Sequence, residues 1–305
     1  MNAHTKTLKR IKGGPTFIRP TISKGLEVSF TVGPAAGLIV ALLIGPQIIL
    51  WLYSFWRYVP GIITDRQWTL SNYTRFLSDS FYRGALIETL LLGLGVTILT
   101  LLASFPVAYY LARTESPHRR FYLYLLIAPL MLGVVVRSFS WMIVLGSNGL
   151  VNRLLLWLGV VHQPLGLLYT KGAVVVGLIE ISIPLMVLTL VASIERISPS
   201  VEEAAQILGA NWWHIIWKII LPQSLPGIVS GSLLVFAGAI TAYATPVLLG
   251  GPSIRIMSIL LYQEMLVSSN WPFGAAIGIL LMAVSTLLLI TYTRVLLPLL
   301  QQGRR

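Results

Sequence analysis

The sequence contains no cysteine and few charged residues. Because none of its 305 residues is cysteine, it cannot form a disulfide framework, a thiolate metal site or a cysteine nucleophile. Charged residues make up 10% of the chain and hydrophobic residues 56%, whereas a soluble globular domain carries about 25% charged residues. This composition excludes an ordinary soluble domain and indicates that lipid surrounds most of the chain.

Acidic residues are especially scarce, with 10 Asp and Glu against 22 Lys and Arg, so the formal net charge is +12. An excess of positive charge can indicate nucleic-acid binding when basic and aromatic residues alternate in one patch. Here the basic residues lie at the ends of apolar runs instead. The sequence therefore predicts that the positive charge lies at the surface of a lipid bilayer and does not bind nucleic acid.

Motifs for catalysis are also missing. The pattern G-x-x-x-x-G-K-[ST] does not occur, so the chain has no loop to cradle the phosphates of ATP. No paired carboxylates or Ser/His/Asp series stand out, and the four histidines lie in predicted links or tails without a neighbour at ligand spacing. We therefore expect no catalytic residue, no metal site and no cofactor in this chain.

Six apolar runs are long enough to cross a bilayer core about 30 Å thick, which requires roughly 20 helical residues. They cover residues 33–56, 85–112, 121–145, 172–193, 225–249 and 271–293. Because these runs are uninterrupted, they favour helices over the alternating segments of membrane barrels, and we predict an all-α membrane protein with six transmembrane helices. The expected division is a tail over 1–32, a transmembrane domain over 33–298 and a second tail over 299–305.

Lys and Arg are unevenly divided between the two sides of the predicted spans. The side that carries both tails and the link between the fourth and fifth runs has about 14 of them, and the opposite side has about 7. Cytoplasmic loops are the ones enriched in these residues. We therefore expect a multi-pass protein whose two termini are both cytoplasmic.

The link between the fourth and fifth runs contains a predicted short helix from Ser198 to Gly209. Ser200 and Glu203 have the S-x-x-E spacing of a capping box, and Gly209 can take the left-handed conformation that ends a helix. An isolated helix this short is marginal in water, so we expect a partner to hold it. Taken singly, Glu202 and Glu203 are more simply explained as solvated carboxylates that favour the helix dipole.

Seven residues of this link occur at fixed spacing. They are Glu203, Ala204, Ala205, Gly209, Ile219, Leu221 and Pro222. Together they resemble the EAA loop of ABC importer permeases, E-A-A-x3-G-x9-I-x-L-P, at every fixed position, which is a specific signal. The chain therefore resembles the binding-protein-dependent inner membrane components, and this resemblance implies the six-span type I ABC importer permease fold.

The resemblance also implies a function and a set of partners. In this family the EAA loop, here residues 198–222, forms a coupling helix that inserts into a cleft on a separate ATPase subunit. The implied coupling residues are Glu202, Glu203, Ala204, Ala205 and Gly209, with Glu203 contacting a basic ATPase residue. A non-catalytic permease half in a bacterial inner membrane is expected, together with an ATPase dimer that binds ATP and Mg, a second permease subunit and an extracytoplasmic solute-binding protein.

A second, shorter pattern concerns the solute. The run Arg137-Ser-Phe-Ser-Trp141, followed by Gly149-Leu-Val-Asn152, resembles the spermidine/putrescine-type permeases. This resemblance implies a polyamine or a similar small organic solute, and it favours a second permease subunit that is a different chain.

Three charged residues lie inside the predicted spans, where a charge costs at least about 2.5–3.5 kcal/mol and usually faces the bundle interior. Glu180 is the deepest, with Pro184 one turn later, and we expect it either to line the translocation pathway or to be buried for packing. Arg137 lies nearer the outer surface, where it could snorkel, so a structural role is favoured although it is also a pathway candidate. Glu88 begins its run and is expected at the interface.

Two residues of the fifth predicted span are further pathway candidates. Tyr243 and Pro246 are proposed because this helix is commonly central in the family that the chain resembles. Apolar packing is the simpler account of both side chains, so the sequence leaves their roles open.

Other classes of membrane protein provide the alternatives. A secondary transporter or channel would show coupled intramembrane acids or inverted-repeat symmetry, and a membrane enzyme would show converging His, Asp or Glu residues at membrane depth. The sequence shows neither sign, and a receptor or scaffold gives no reason for an EAA loop. The secondary transporter or channel is the leading alternative.

Overall fold

The computed structural model describes residues 24–302, without the side chains of residues 24–32, 35, 62–66 and 295–302. The predicted tails therefore lie partly outside the described residues, over 1–23 and 303–305. The described residues form two compact units, divided between residues 49 and 50.

The first unit contains most of helix α1 (Lys24–Ser54). Leu42 and Leu43 are each 66% exposed, and no residue of the apolar stretch Ala36–Ser54 that belongs to this unit is buried. Apolar side chains are stable against lipid, so this exposure agrees with a helix that crosses a membrane.

The second unit is a helical bundle with one small hairpin. Its helices are α2 (Ser71–Ser78), α3 (Ser80–Arg113), α4 (Arg119–Ile127), α5 (Val134–Leu145), α6 (Leu150–Trp157), α7 (Lys171–Ile194), α8 (Pro199–Ile207), α9 (Trp212–Ile215), α10 (Leu221–Gln223), α11 (Leu225–Thr241), α12 (Ala244–Gly250), α13 (Met257–Tyr262) and α14 (Trp271–Gln302). Short 3-10 or π-helical turns cover Ala128–Met131, Ile216–Ile220, Gly251–Ser253 and Gln263–Val267. The predicted all-α membrane fold is confirmed in its main features.

The hairpin pairs strand β1 (Trp56–Val59) with strand β2 (Ile62–Trp68) in antiparallel register. No sheet is predicted from the sequence, so this element is an addition to the predicted fold. Its turn contains Pro60 and Gly61, and Gly61 has a positive φ of 83°. Proline followed by glycine is a turn signal that the search for long apolar runs does not detect.

Side-chain caps begin several of the helices. Asp79 accepts a hydrogen bond from the Phe81 N–H at the start of α3, and Thr170 accepts one from the Ala173 N–H at the start of α7. Such caps satisfy backbone donors that have no partner inside the helix. The two caps fix where α3 and α7 begin.

Five helices are long and apolar enough to cross a membrane, and two bent pairs raise the number to as many as seven among the described residues. The predicted count of six lies within this range. The first bent pair joins Trp212–Gln223 to Leu225–Thr241 at 69°, and the second joins Ala244–Ser253 to Met257–Val267 at 95°.

Prolines divide two of the predicted runs. In the run 225–249, α11 ends at Thr241 because Pro246 has no N–H for the Ala242 carbonyl, and Ala242 takes an extended conformation before α12. In the run 121–145, the chain leaves α4 at a 3-10 turn that contains Pro129, and the stretch long enough to span begins at Val134. Neither predicted run is therefore one continuous helix.

The core of the bundle lies where α3, α7 and α11 pack together. Its buried side chains include Val96 on α3, Met186 and Leu190 on α7, and Val235 on α11. Gly227 lies so close to α7 that a Cβ atom in its place would overlap the Ser193 side chain. Small residues at membrane helix contacts allow this close approach, which brings α7 and α11 together.

Candidate functional site

Helix α8 carries the E-A-A pattern, and its start differs from the predicted start. Ser198 is the N-cap residue, but its Oγ lies 2.7 Å from the Ser200 Oγ and caps no backbone N–H. The predicted capping box between Ser200 and Glu203 is therefore wrong. Pro199 occupies the first helical position, where its fixed φ and missing N–H are favourable, so the helix begins upstream of Ser200.

The end of α8 is a tight left-handed turn. Gly209 has a φ of 84°, which confirms the predicted left-handed conformation. The Gly209 N–H donates to the Gln206 carbonyl and the Ala210 N–H donates to the Ala205 carbonyl, each at 2.9 Å. These two bonds form a Schellman motif, which satisfies the last carbonyls of the helix and reverses the chain direction.

Glu202 is buried and fixes α8 to the end of α3. Its Oε1 accepts from the Arg113 Nε at 2.6 Å and its Oε2 accepts from the Tyr109 Oη at 2.7 Å. Arg113 also donates from Nη2 to the Ile197 carbonyl at 3.0 Å. The interpretation of Glu202 as a solvated first-turn carboxylate is wrong, because the fold brings these two partners of α3 onto it. We call these three side chains the Glu202 clamp.

Tyr109 and Arg113 are not predicted as functional residues from the sequence. They lie 93 and 89 residues from Glu202 along the chain, so no local spacing relates them. The one available signal is that Arg113 is the last residue of a long apolar helix, where a basic side chain is common for other reasons.

The opposite side of α8 is exposed and largely apolar. Its residues are Glu203, Ala204, Ile207, Leu208 and Gly209, which we call the α8 face. Ile207 and Leu208 are each 87% exposed, whereas Ala205 is half-buried beside the core. Such a cluster of apolar side chains outside the apolar spans indicates a protein-binding surface.

A cleft adjoins the α8 face. It has a volume of about 490 Å³ and is lined by residues of α8 and by His214 and Lys218 of the following segment. Asn211 starts this segment by accepting a hydrogen bond from the His214 N–H at 2.8 Å. The cleft beside Gly209 is therefore lined by one histidine and one lysine side chain.

Arg137 and Glu180 form a bidentate ion pair. The Arg137 Nη2 donates to Glu180 Oε1 at 2.6 Å, and the Arg137 Nε donates to Oε2 at 3.2 Å. The Arg137 side chain is 6% exposed and the Glu180 side chain 30% exposed. Arg137 does not snorkel to the outer surface, because α5 packs beside α7 and directs the guanidinium inward, where the Glu180 carboxylate offsets its charge.

The pair borders a cavity of about 260 Å³. Ser140, Trp141 and Val144 of α5 line the same cavity. Glu180 lies near the middle of the 24-residue apolar helix α7, and charged side chains at such a depth face the bundle interior or a water-filled space. The structure therefore brings together two of the four pathway candidates, Glu180 and Arg137, at one cavity.

The other two pathway candidates have different surroundings. Tyr243 is half-buried and stacks on Tyr262, with ring centroids 4.6 Å apart. Pro246 is buried, and it breaks the helix rather than lining either cavity described above. Glu88 lies 2.9 Å from the Nζ of Lys171, whose side chain is 65% exposed, at the start of α7. Among the residues whose side chains the structure describes, no three His, Asp or Glu side chains converge as metal ligands.

Comparisons with known proteins place these features in context. Residues 33–302 match the family described as the binding-protein-dependent transport system inner membrane component. The chain is 37% identical over 226 residues to the spermidine/putrescine transport system permease protein PotB of Escherichia coli (strain K12), covering 74% of this chain and 82% of that protein. Identity to the protein of the same name from Haemophilus influenzae is 33% over 226 residues, covering 74% and 79%.

A similar fold occurs among solved structures. A chain of the bacterial alginate ABC transporter, in complex with its alginate pentasaccharide-bound periplasmic protein, superposes with a TM-score of 0.72. The two chains are 19% identical, and the match covers 92% of this chain and 98% of the other. This likeness concerns the fold alone.

Proposed function

Because the chain belongs to the family of binding-protein-dependent transport system inner membrane components, we propose that it forms one half of the translocation pathway of a polyamine importer. The chain is a multi-pass membrane protein and a non-catalytic permease component of an ABC importer. The alternative of a secondary transporter or channel is not supported, since the family match covers residues 33–302.

The α8 face is the observation that supports a coupling role for this segment. Its apolar side chains are exposed at the end of a helix that the Glu202 clamp holds rigidly. In the proposed complex, Ile207 and Leu208 enter a cleft on the ATPase, and Glu203 pairs with a basic residue there. Ala204 permits close approach, and the turn at Gly209 directs the following chain away from the contact.

The proposed complex has three further components. An ATPase dimer binds ATP and Mg, since this chain has no phosphate-binding loop of its own. An extracytoplasmic binding protein delivers the solute, and a second permease subunit, which we propose is a different chain, completes the pathway. The excess of Lys and Arg on the side of α8 supports a bacterial inner-membrane orientation with α8 and both termini in the cytoplasm.

The proposed mechanism is alternating access. ATP binding closes the ATPase dimer, and the α8 face moves with the surface on which it is docked. Because the Glu202 clamp joins α8 to Arg113 at the end of α3, this movement is transmitted to a core helix that packs against α7 and α11. The passage then opens to the outside and accepts the solute from its binding protein.

Similarity to the spermidine/putrescine permeases supports a polyamine as the solute, and the run from Arg137 to Trp141 contributes the same indication. The electrostatics of the site are balanced, because the Arg137 guanidinium neutralises the Glu180 carboxylate. The net charge of the site therefore does not support a cationic solute. The proposed solute rests on the 37% sequence identity to the spermidine/putrescine permease.

The experiment is uptake by vesicles that contain all subunits, with ATP on the ATPase side and the cognate binding protein on the other. We expect uptake of labelled putrescine or spermidine that excess unlabelled polyamine inhibits and that sugars, amino acids and anions do not. Uptake of a sugar or an anion without any effect of polyamines would refute the proposed solute.

A further inference from the structure

Three oxygen atoms of Glu180 accept hydrogen bonds from the Arg137 guanidinium. Arg137 contacts Glu180 Oε1 and Oε2, and its Nη2 also donates to the Glu180 main-chain carbonyl at 3.2 Å. This carbonyl is available because the residue four positions later is Pro184, which has no N–H to complete the helical hydrogen bond. The proline-opened turn of α7 therefore adds a main-chain acceptor to the two carboxylate oxygens, and we call these three oxygens the Glu180 site.

The Glu180 site is accessible from the cavity that Trp141 lines. The Glu180 side chain is 30% exposed although it lies in the middle of an apolar helix. A partly exposed carboxylate at this depth is costly against lipid and therefore faces water or a passage. The guanidinium, which is 6% exposed, approaches from the protein side.

The chemistry of the Glu180 site matches an alkylammonium group. A primary ammonium carries three N–H donors and no acceptor, and the Glu180 site presents three acceptors. The indole of Trp141 borders the same cavity, and aromatic faces attract cations and pack against methylene groups. The site therefore has the hydrogen-bond acceptors and the aromatic ring that would bind the ammonium end of a polyamine. In the structure the Arg137 guanidinium occupies these acceptors.

We propose that the Glu180 site binds an ammonium group of the solute during its passage, and that Arg137 occupies the site as a resident cation when no solute is there. This inference rests on the proposed function, since it assigns the residues that contact the organic cation. The resident guanidinium prevents an unpaired carboxylate in the empty state. It also competes with the solute, which keeps binding weak enough for release, as transport requires.

The first test replaces the pair by apolar side chains. Buried ion pairs exchanged for hydrophobic residues often leave stability unchanged, so the double variant Arg137→Met/Glu180→Met is expected to fold and assemble. In the complete complex, polyamine uptake should fall about ten- to hundredfold, which corresponds to loss of a hydrogen bond to a charged group. ATP hydrolysis stimulated by the loaded binding protein should persist, because α8 and its clamp are unchanged.

The matched control removes another ion pair from the same helix. Glu88→Gln/Lys171→Gln deletes the pair at the start of α7 and should leave uptake at the wild-type rate. Wild-type uptake by Arg137→Met/Glu180→Met would overturn the proposal and leave the pair as a packing feature. A parallel loss of uptake and of stimulated ATP hydrolysis would overturn it as well, because the pair would then serve assembly.

The second test is equilibrium binding of labelled spermidine to the complex in nanodiscs without binding protein. Removing the competing charge by Arg137→Gln should tighten binding by about tenfold, since like charges in one site cost at least that much. Glu180→Gln should abolish the binding. Unchanged or weaker binding by Arg137→Gln would overturn the role of Arg137 as a resident cation. Absence of polyamine uptake by the unmodified complex would instead refute the proposed function, before any variant is compared.

Discussion

Two adjacent glutamates in helix α8 have opposite surroundings. Glu202 is buried and accepts hydrogen bonds from Tyr109 and Arg113, whereas Glu203 is exposed on the α8 face. Successive residues of a helix point in directions about 100° apart, so one can face the bundle while the next faces outward. The first therefore positions α8, and the second is available to a partner.

The Glu202 clamp can be tested through Arg113→Gln. This change leaves a buried carboxylate without its charged partner, and we expect it to lower the stability of the chain by about 1.5–3 kcal/mol, measured as thermal unfolding in detergent. The control is Arg119→Gln, which removes the ion pair between Arg119 and Glu195. The Arg119 side chain is 36% exposed and the Glu195 side chain is 42% exposed. Exposed pairs contribute about 0–1 kcal/mol, so equal effects of the two substitutions would contradict the clamp.

At the scale of the element, α8 is a short helix whose two ends are both fixed. Pro199 sets its start, and the Schellman motif around Gly209 sets its end. A helix of this length is marginal alone, so its position depends on these ends and on the Glu202 clamp. The apolar α8 face can then be presented to a partner in one orientation, at little further cost in conformational entropy.

The coupling role of α8 predicts that changing its contact charge or its terminating turn abolishes ATP-driven uptake while the protein stays in the membrane. Glu203→Lys reverses the exposed charge, and Gly209→Val places a β-branched residue at a φ of 84°. Gly209→Asn is the control, because asparagine tolerates this conformation and should keep uptake. Survival of uptake and of solute-stimulated ATP hydrolysis in both Glu203→Lys and Gly209→Val would contradict the coupling role.

At the scale of the whole molecule, the clamp lies at the end of α3, the cavity lies between α5 and α7, and α3 packs against α7. Arg113 ends α3, and its guanidinium bonds both Glu202 of α8 and the Ile197 carbonyl in the link between α7 and α8. Glu180 lies within α7 itself. The connection supports a hypothesis in which movement of α8 changes the packing around the Glu180 site, with α3 and α7 as rigid intermediates.

The division of labour in such a complex gives a prediction for the isolated chain. The purified chain should hydrolyse no ATP above the vesicle background, because it lacks a phosphate-cradling loop. The measurement is phosphate release by the chain alone and after addition of the ATPase subunit. Hydrolysis by a preparation shown by mass spectrometry to contain no other subunit would contradict its assignment as a permease.

Local rules let the sequence determine a large part of this protein. The apolar runs predict a membrane-spanning helical bundle because their length matches the bilayer, and the predicted six spans fall within the five to seven that the helices allow. The family follows from residues at fixed spacing in one segment, and the left-handed turn follows from Gly209 because only glycine adopts that conformation freely. Each of these features depends on neighbouring residues or on composition.

Only the tertiary structure decided which charges pair and where the helices break. Glu202 meets Arg113 across 89 residues and Glu180 meets Arg137 across 43, and sequence spacing carries no information about such contacts. The predicted capping box is wrong because Pro199 is a better first residue than Ser200, and the sequence cannot identify the partner of Arg137 because that partner lies on another helix. Buried charges are stable only beside a partner, and packing of α3, α5, α7 and α8 determines which partner that is.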